Sequence, residues 1–457
     1  MGALRDRLPR LLAQTRPSRR QRLLSVTVSL PRLELRSVPE LSTGTVYWRR
    51  PEADEIACGR GCATELVADK ANRFQRLGRG LEQLSARWLR VHPDGPPQPT
   101  RFMLAFGFDP EHPEPATPTA RIHLPEVLLE QDTGPARITF STALPQDTEP
   151  EALAERWLAE AEPLIQGLVR NEPALGQVQT LEPIAGEPAR ETWLDRVQAA
   201  RDRIDRKVFS KVVLSRRLRV RAPSSFYAPR VINWLQQHYP SCAHIAYARP
   251  DGTLIAASPE KLVSLHDGRV RSDALASTTV RSPDPAEDEY LEQELHANPK
   301  ARSEHRLVVE AIVNALRPLC RRIDWPPEPQ IMKLETLQHL WTPIEGRVQA
   351  GTTLLDCVQR LHPTPAVGGF PSIPALEWLA ELGERRDWFT GGIGWITAQG
   401  DGELAVVLRC AMLRDNEAEV FAGAGIVADS DPQAELGETD LKMRVLLDAL
   451  ARASIEP

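Results

Sequence analysis

The segment 421–442 sets acidic and basic side chains beside glycines, a pattern that suits a cation together with a small anionic substrate. Helical side chains three or four residues apart are neighbours, so a helix here would put Glu435, Glu438 and Lys442 on one face. Carboxylates bind divalent cations, and an ammonium group binds an anion. The glycine-rich stretch 423–425 is predicted to be a turn whose bare backbone can approach a ligand closely.

Simpler interpretations of this segment stay open. Asp431 suits a helix N-cap and Pro432 suits the first turn, so Glu435 could serve only to complement the helix dipole. Residues 423–428 also fit the G-x-G-x-x-A pattern of dinucleotide-binding loops. The helix begins too late after these glycines, and too little chain follows for a βαβ unit, so nucleotide binding is not favoured.

Five other polar residues are candidates, and four of them also have an ordinary explanation. Lys211 lies in an apolar strand; facing inward it could act as a base, and on an edge strand it would only block aggregation. Glu260 ends a strand and could be a general acid if its surroundings raise its pKa, or an ordinary turn carboxylate. Glu304, near a helix start, could compensate the dipole, and His339 could be a core histidine. Arg409 in an apolar predicted strand indicates a buried anion partner.

The elements that must position these residues are hairpins with helices between them. Asp-Gly pairs at 251–252 and 267–268 predict two hairpins. Proline cannot sit in a helix interior, so Pro299 should separate two helices. Residues 64–91 are predicted to form one helix, and residues 181–190 a linker rich in proline and glycine. This order predicts an α+β fold with antiparallel sheets rather than a doubly wound parallel sheet.

Composition narrows the class of protein. The chain has 457 residues, of which 42% are hydrophobic, enough for a sizeable core. Its formal net charge of -6 argues against nucleic-acid binding, which needs a basic surface. No apolar run approaches the roughly 18 residues of a membrane span. The 6 cysteines complete no zinc pattern and are expected to be reduced, so we expect a cytoplasmic protein.

Taken together and in this order, the segments around these residues resemble the chorismate-utilising enzymes, which include isochorismate, salicylate, anthranilate and aminodeoxychorismate synthases. The segments are KVVLSR, ASPEKL, ALAST, KARSEHRLVVE, HLWTPIEG, LHPTPAVGG, AVVLR and GAGIVADSDPQAELGETDLK. The resemblance implies two large antiparallel β-sheets packed together with flanking helices. It further implies a variable N-terminal part, residues 1–190, that contributes to the same fold, and a chorismate-binding catalytic region, residues 191–457.

Single residues in these segments indicate which reaction of the family the chain resembles. Lys211 stands where ammonia-using anthranilate synthases carry glutamine, and the family's lysine activates water. Ala276 replaces the lysine nucleophile of aminodeoxychorismate synthase, which excludes covalent catalysis there. Ser277 stands where relatives usually have glycine, and a side chain there could crowd the substrate.

Water addition to chorismate is therefore the implied reaction, as in isochorismate synthases that feed menaquinone or siderophore biosynthesis. No obligatory glutamine amidotransferase subunit is expected. Two alternatives remain, namely a salicylate synthase, which also eliminates pyruvate, and a non-catalytic chorismate-binding protein.

The resemblance also implies a role for each candidate residue. Lys211 is the base that takes a proton from water, and Glu260 is the acid that protonates the departing C4 hydroxyl. Glu304 and Glu438 hold Mg²⁺, and Glu435 helps through a bound water. The substrate contacts are Thr278 and His339 around the ring, and Arg409, Lys442 and the backbone of Gly423 and Gly425 around the enolpyruvyl carboxylate.

Overall fold

The computed structural model describes residues 2–15, 17–111, 118–144, 149–171 and 178–452. Within these ranges the chain forms ten α-helices and 23 β-strands. The helices are α1 (Gly2–Gln14), α2 (Arg73–Ser85), α3 (Pro150–Val169), α4 (Arg190–Asp205), α5 (Ala228–His238), α6 (Pro285–Ala297), α7 (Pro299–Leu316), α8 (Leu354–Leu361), α9 (Ser372–Glu381) and α10 (Pro432–Ala451).

The strands of the N-terminal part are β1 (Leu23–Ser29), β2 (Val46–Arg50), β3 (Glu55–Arg60), β4 (Thr64–Ala68), β5 (Trp88–Val91), β6 (Arg101–Phe106), β7 (Ala120–Leu124), β8 (Val127–Gln131), β9 (Arg137–Ala143) and β10 (Glu182–Glu187). Those that follow are β11 (Lys211–Arg221), β12 (Ala243–Arg249), β13 (Gly252–Ser258), β14 (Lys261–His266), β15 (Arg269–Val280), β16 (Cys320–Asp324), β17 (Gln330–Lys333), β18 (Leu337–Val348), β19 (Gly369–Phe370), β20 (Gly392–Thr397), β21 (Gly402–Val406), β22 (Cys410–Arg414) and β23 (Glu417–Ile426).

These strands form two large sheets, in which the described pairings are antiparallel except that of β1 with β5. The larger sheet has 13 strands in the order β10-β11-β23-β22-β13-β12-β2-β3-β8-β9-β1-β5, with β19 beside β11. The smaller has 10 strands in the order β16-β18-β15-β14-β21-β20-β6-β7-β4, with β17 beside β18.

The two sheets pack face to face and helices cover their outer faces. Trp48 and Ile245 of the larger sheet pack with Met103, Ile393 and Trp395 of the smaller one. The larger sheet buries its other face under α1, α3, α5 and α10, and the smaller under α2, α7 and α8. This arrangement confirms the predicted α+β fold with two antiparallel sheets and flanking helices.

Strands from both sides of residue 190 share both sheets. In the larger sheet β2 pairs with β12, and in the smaller β6 pairs with β20. The first 190 residues therefore help to build the same two layers, while a functional boundary at that point stays a prediction.

Local turn chemistry behaves as the sequence predicts. Asp267 and Gly268 adopt φ values of 49° and 71° in the hairpin between β14 and β15, as a tight turn of this kind requires. The side chain of Asn298 accepts a hydrogen bond from the Ala301 backbone N–H, and Pro299 opens α7. The predicted break between the two helices is confirmed.

The prediction of one helix over residues 64–91 is wrong. The segment is divided into β4, α2 and β5, with Lys70 at a left-handed φ of 71° between the first two. Residues 64–68 pair with β7 in the smaller sheet, so strand pairing overrides the apparent helical spacing of Leu66 with the leucines that follow.

The predicted linker at residues 181–190 also differs, because β10 occupies most of it. This strand pairs with β11 at the edge of the larger sheet and is exposed along its length. An edge strand tolerates Pro183, since one side of it needs no ladder hydrogen bonds.

Among the described residues, no helix is both long enough and apolar enough to cross a membrane.

Candidate active site

A cleft of about 250 Å³ lies where the chain crosses between the two sheets. One crossing is the short link from β13 to β14, which carries Glu260, and the other is the link from β21 to β22, which carries Arg409. Every candidate residue predicted from the sequence lines this cleft: Lys211, Glu260, Thr278, Glu304, His339, Arg409, Gly423, Gly425, Glu435, Glu438 and Lys442.

Each wall of the cleft comes from a different element. The larger sheet supplies Lys211 from β11 and the glycines 423 and 425 from β23, whereas the smaller sheet supplies Thr278 from β15 and His339 from β18. The helices α7 and α10 supply three carboxylates and two lysines. Residues distant in the sequence thus meet at one end of the sandwich.

The predicted glycine turn is wrong, because Gly423 and Gly425 lie within β23 and pair with β11. A Cβ atom on Gly425 would come 2.8 Å from Cε of Lys211 and 3.0 Å from Oε1 of Glu304. A side chain here would press on the Lys211–Glu304 pair, so glycine is favoured by the close approach of these side chains rather than by a turn. The predicted role of bare backbone beside the ligand site stays compatible with this geometry.

Lys211 is buried and makes an ion pair with Glu304, with 2.7 Å between Nζ and Oε1. An edge-strand lysine does not fit, because β11 is covered by β23 on one side and by β10 and β19 on the other. Glu304 lies beyond the first turn of α7, so dipole compensation does not explain it. Burial pushes the pKa of Glu304 upward, but the Lys211 ammonium outweighs this and holds that pKa below its ordinary value.

Glu260 is a buried carboxyl group that is only 4% exposed, unlike an ordinary turn carboxylate. Burial first, and then the nearby charge of Asp273, raise the pKa of Glu260 to about 8 against the opposing charges of Lys211, Arg409 and Lys442. Glu260 is therefore protonated at neutral pH, which is the state a general acid needs.

The C-terminal helix presents its face to the cleft as predicted. Asp431 caps α10 by accepting hydrogen bonds from two backbone N–H groups. Lys442 contacts Glu438 and donates to the carbonyl of Gly423 at 2.9 Å. Burial and the neighbouring Glu438 raise the pKa of Glu435 to about 7, so Glu435 is more than a solvated charge near the helix start.

Arg409 does not lie in a strand, contrary to the prediction. It occupies the link between β21 and β22 with a left-handed φ of 47° and is 8% exposed. Its Nε has no hydrogen-bond partner in the described structure, and burial lowers the pKa of its guanidinium. A buried cation with an unused donor favours an anionic ligand.

His339 and Thr278 are joined across β15 and β18 by a hydrogen bond of 2.9 Å between Nδ1 and Oγ1. Burial holds the pKa of His339 well below its ordinary value, so the imidazole is neutral. Its Nε2 has no partner among the described residues, which leaves one ring nitrogen unused in the cleft.

Lys300, which was not predicted from the sequence, is another cation of the cleft and donates to the carbonyl of Asp429 at 3.3 Å. Lys300 begins the same segment that carries Glu304, so its place in that motif was the available signal. Ser277 likewise had no predicted partner, and its hydroxyl contacts Glu304.

The donor chemistry of the cleft fits Mg²⁺. Glu304, Glu435 and Glu438 line one side of it, and carboxylate oxygens are ligands that this ion prefers. Across the described ranges no three such side chains are already grouped as a metal site. Instead Lys211 and Lys442 pair with two of the carboxylates. The pKa of Glu435 is raised mainly by burial and then by the charge of Glu438, so a bound cation would help this carboxyl group to ionise.

Comparison with known proteins shows the family to which the chain belongs. The sequence profile that describes chorismate binding enzymes matches residues 10–451. The salicylate biosynthesis isochorismate synthase of Pseudomonas aeruginosa is 32% identical over 99% of this chain and 95% of its own length. The isochorismate synthase DhbC of Bacillus subtilis is 37% identical over 61% of this chain and 72% of its own.

The fold of this chain is also similar to that of solved structures. The structure of MenF, the menaquinone-specific isochorismate synthase from Escherichia coli, superposes with a TM-score of 0.78 and 26% identity. That match covers 98% of this chain and 99% of the other. The protein is therefore a member of the chorismate binding enzyme family.

Proposed function

We propose that this protein is an isochorismate synthase, which converts chorismate reversibly to isochorismate by adding water at C2 with loss of the C4 hydroxyl. The observation that carries the proposal is the meeting, in one cleft, of a buried acid that is protonated at neutral pH and a buried lysine. The full-length relative from Pseudomonas aeruginosa, an isochorismate synthase by name, supports the same reaction.

The cations and the neutral histidine of the cleft would bind the substrate. Arg409 and Lys442, with the backbone of Gly423 and Gly425, would hold the enolpyruvyl carboxylate. The unused Nε–H of Arg409 gives this assignment its physical basis. Thr278 and His339 would line the ring, where a neutral imidazole neither attracts nor repels the substrate's charges.

Glu304 and Glu438 would hold Mg²⁺ directly, and Glu435 would act through a bound water. When bound, this ion would orient the ring carboxylate and withdraw electron density from the ring. Mg²⁺ commonly takes one or two protein carboxylates and keeps several waters, so two direct glutamates are enough.

The proton transfers belong to Lys211 and Glu260. Lys211 would take a proton from water as the water oxygen forms its bond to C2. The ring double bonds shift, the C4–O bond breaks, and Glu260 protonates the departing hydroxide to give water. In its ion pair with Glu304, Lys211 is an ammonium group and has no lone pair to accept a proton. Lys211 can therefore act as the base only after it has released one proton to solvent, which a cation bound to Glu304 would favour.

Water as the nucleophile removes the need for a subunit that delivers ammonia, so we propose that the enzyme works without a glutamine amidotransferase. Its product would feed menaquinone or siderophore biosynthesis.

Incubation of the protein with chorismate and Mg²⁺, followed by chromatography, tests the activity. Isochorismate is the expected product, whereas salicylate with pyruvate would show a salicylate synthase, and unchanged chorismate would show a binding protein.

Replacing Glu438 with glutamine should raise the Mg²⁺ concentration needed for half-maximal activity by at least about tenfold, because the amide loses the charge that attracts the cation. The measurement is initial rate against Mg²⁺ concentration. Asp440→Asn is the matched control, since Asp440 lies on the same helix but is exposed and contacts Arg216. Normal Mg²⁺ activation of the Glu438 variant would remove this residue from the metal site.

A further inference from the structure

Ser277 occupies an unusual backbone position at the wall of the cleft. The pairing of β15 with β18 shifts register between Ala276 and Thr278, so Ser277 is the extra residue of a β-bulge. Its φ is 61°, in the left-handed region that favours glycine. A serine here pays a conformational penalty that glycine would avoid, which points to a use for its side chain.

The hydroxyl of Ser277 faces two acceptors on α7. Its Oγ lies 2.9 Å from Oε2 of Glu304 and 3.1 Å from the backbone carbonyl of Ala301. A hydroxyl carries one proton, and a carboxylate is the stronger acceptor, so the bond to Glu304 is the favoured one. The carbonyl gives the proton a second acceptor if the carboxylate moves.

The two oxygens of Glu304 are therefore held differently. Oε2 accepts from the neutral hydroxyl of Ser277, while Oε1 is paired with the ammonium of Lys211 at 2.7 Å. Oε1 is the oxygen that a cation would take over, because a cation there supplies the positive charge that the Lys211 ammonium now supplies, whereas Oε2 has only a neutral donor. The hydroxyl fixes the rotation of the carboxylate during this exchange.

We propose that Ser277 is a positioning residue that holds Oε2 of Glu304 so that Oε1 is presented to the divalent cation. This inference rests on the proposed function, in which Glu304 is a metal ligand. Hydrogen-bond partners behind a metal ligand commonly contribute about 10- to 100-fold to metal affinity. The hydroxyl of Ser277 contacts Glu304 and the Ala301 carbonyl and not Lys211 or Glu260, so we expect its effect on the cation rather than on proton transfer.

The test is a calorimetric titration of the full chain with Mg²⁺ in the absence of substrate. Ser277→Ala removes the hydroxyl and keeps the Cβ atom, and Ser277→Gly removes both. Both variants are expected to raise the Mg²⁺ dissociation constant by about tenfold or more. At saturating Mg²⁺ the kcat should recover to within roughly threefold of the unaltered protein, because the proton-transfer groups are unchanged.

Urea unfolding distinguishes the effect of backbone strain at position 277 from the effect of losing the hydroxyl. Ser277→Gly should unfold at a higher urea concentration than Ser277→Ala, since glycine accepts the left-handed φ without strain.

Ser272→Ala is the matched control for the Mg²⁺ titration. Ser272 is a buried serine of the same strand whose hydroxyl donates to the carbonyl of Leu262, so its loss should leave Mg²⁺ affinity unchanged.

An unchanged Mg²⁺ dissociation constant in Ser277→Ala would overturn the inference. So would normal affinity in Ser277→Gly beside weak affinity in Ser277→Ala, because the Cβ atom and not the hydroxyl would then matter. If the unaltered protein bound no Mg²⁺, the metal assignment of the proposed function would fail and this inference with it. The titration of the unaltered protein therefore distinguishes the two failures.

Discussion

Replacing Lys211 with alanine is expected to abolish conversion of chorismate, with a loss of about 10²- to 10⁴-fold, the range typical of a missing general base. The substrate should still bind, because Arg409 and the other proposed carboxylate contacts remain. Mg²⁺ should bind at least as well, since Glu304 loses the ammonium that now occupies its Oε1. A variant that binds chorismate and Mg²⁺ but does not convert chorismate is the result expected when the proton acceptor is lost.

Initial rates, chorismate binding by calorimetry and the Mg²⁺ titration measure these three effects. Lys207→Ala is the matched control, because Lys207 is exposed on the loop before β11 and should be replaceable without loss. Substantial turnover by Lys211→Ala would exclude Lys211 as the base. Loss of chorismate binding in step with turnover would instead make Lys211 a binding residue.

Glu260→Gln should lose activity over a similar range of about 10²- to 10⁴-fold, because glutamine keeps the shape of the neutral acid but cannot release a proton. In the unaltered enzyme kcat/KM should fall as the pH rises through about 8, where Glu260 loses its proton. The profile of the glutamine variant should lack this descending limb. A profile that keeps the same limb would assign the titration to another group.

The same substitution should stabilise the protein. The pKa of Glu260 rises from 4.5 to about 8 on folding, so between these values the folded state binds more protons than the unfolded state. The free energy of unfolding therefore decreases as the pH rises through this window and levels off above it. Glutamine has no proton to lose, and at pH 7 the variant should be more stable by on the order of 3 kcal/mol.

Urea unfolding of both proteins at pH 5 and pH 7 measures this effect. The difference in the free energy of unfolding between the two proteins should be small at pH 5 and large at pH 7. The glutamine variant should be the more stable protein but the less active enzyme. Equal stability of the two proteins at both pH values would contradict the raised pKa of Glu260, and with it the physical basis for its role as an acid.

Local patterns predicted the parts of the site that local structure controls. The cap at Asp431 and helical spacing were enough to set Glu435, Glu438 and Lys442 on one face, as observed. The order of hairpins and helices likewise predicted antiparallel sheets. These features depend on residues that are near one another in the chain.

The long-range features could not be read from spacing. Lys211 lies on β11 and Glu304 on α7, which are far apart in the chain and meet only in the folded structure. Before the structure, only the family resemblance placed both residues in one site. Glycine is typical of turns, but Gly425 lies in a strand that pairs with β11, where a Cβ atom would approach Lys211 and Glu304 closely. The strand at residues 64–68 depends on its partner β7, which lies far along the chain.

The most direct test of the central claim is conversion of chorismate in H₂¹⁸O with Mg²⁺, with the product isolated early, before the reverse reaction exchanges more oxygen. Water addition through Lys211 and Glu260 predicts isochorismate with one ¹⁸O atom, on C2. Lys211→Ala should form this labelled product more slowly by the same factor as its loss of turnover. Unlabelled isochorismate would contradict attack by water, and salicylate with pyruvate as the early product would contradict the proposed activity.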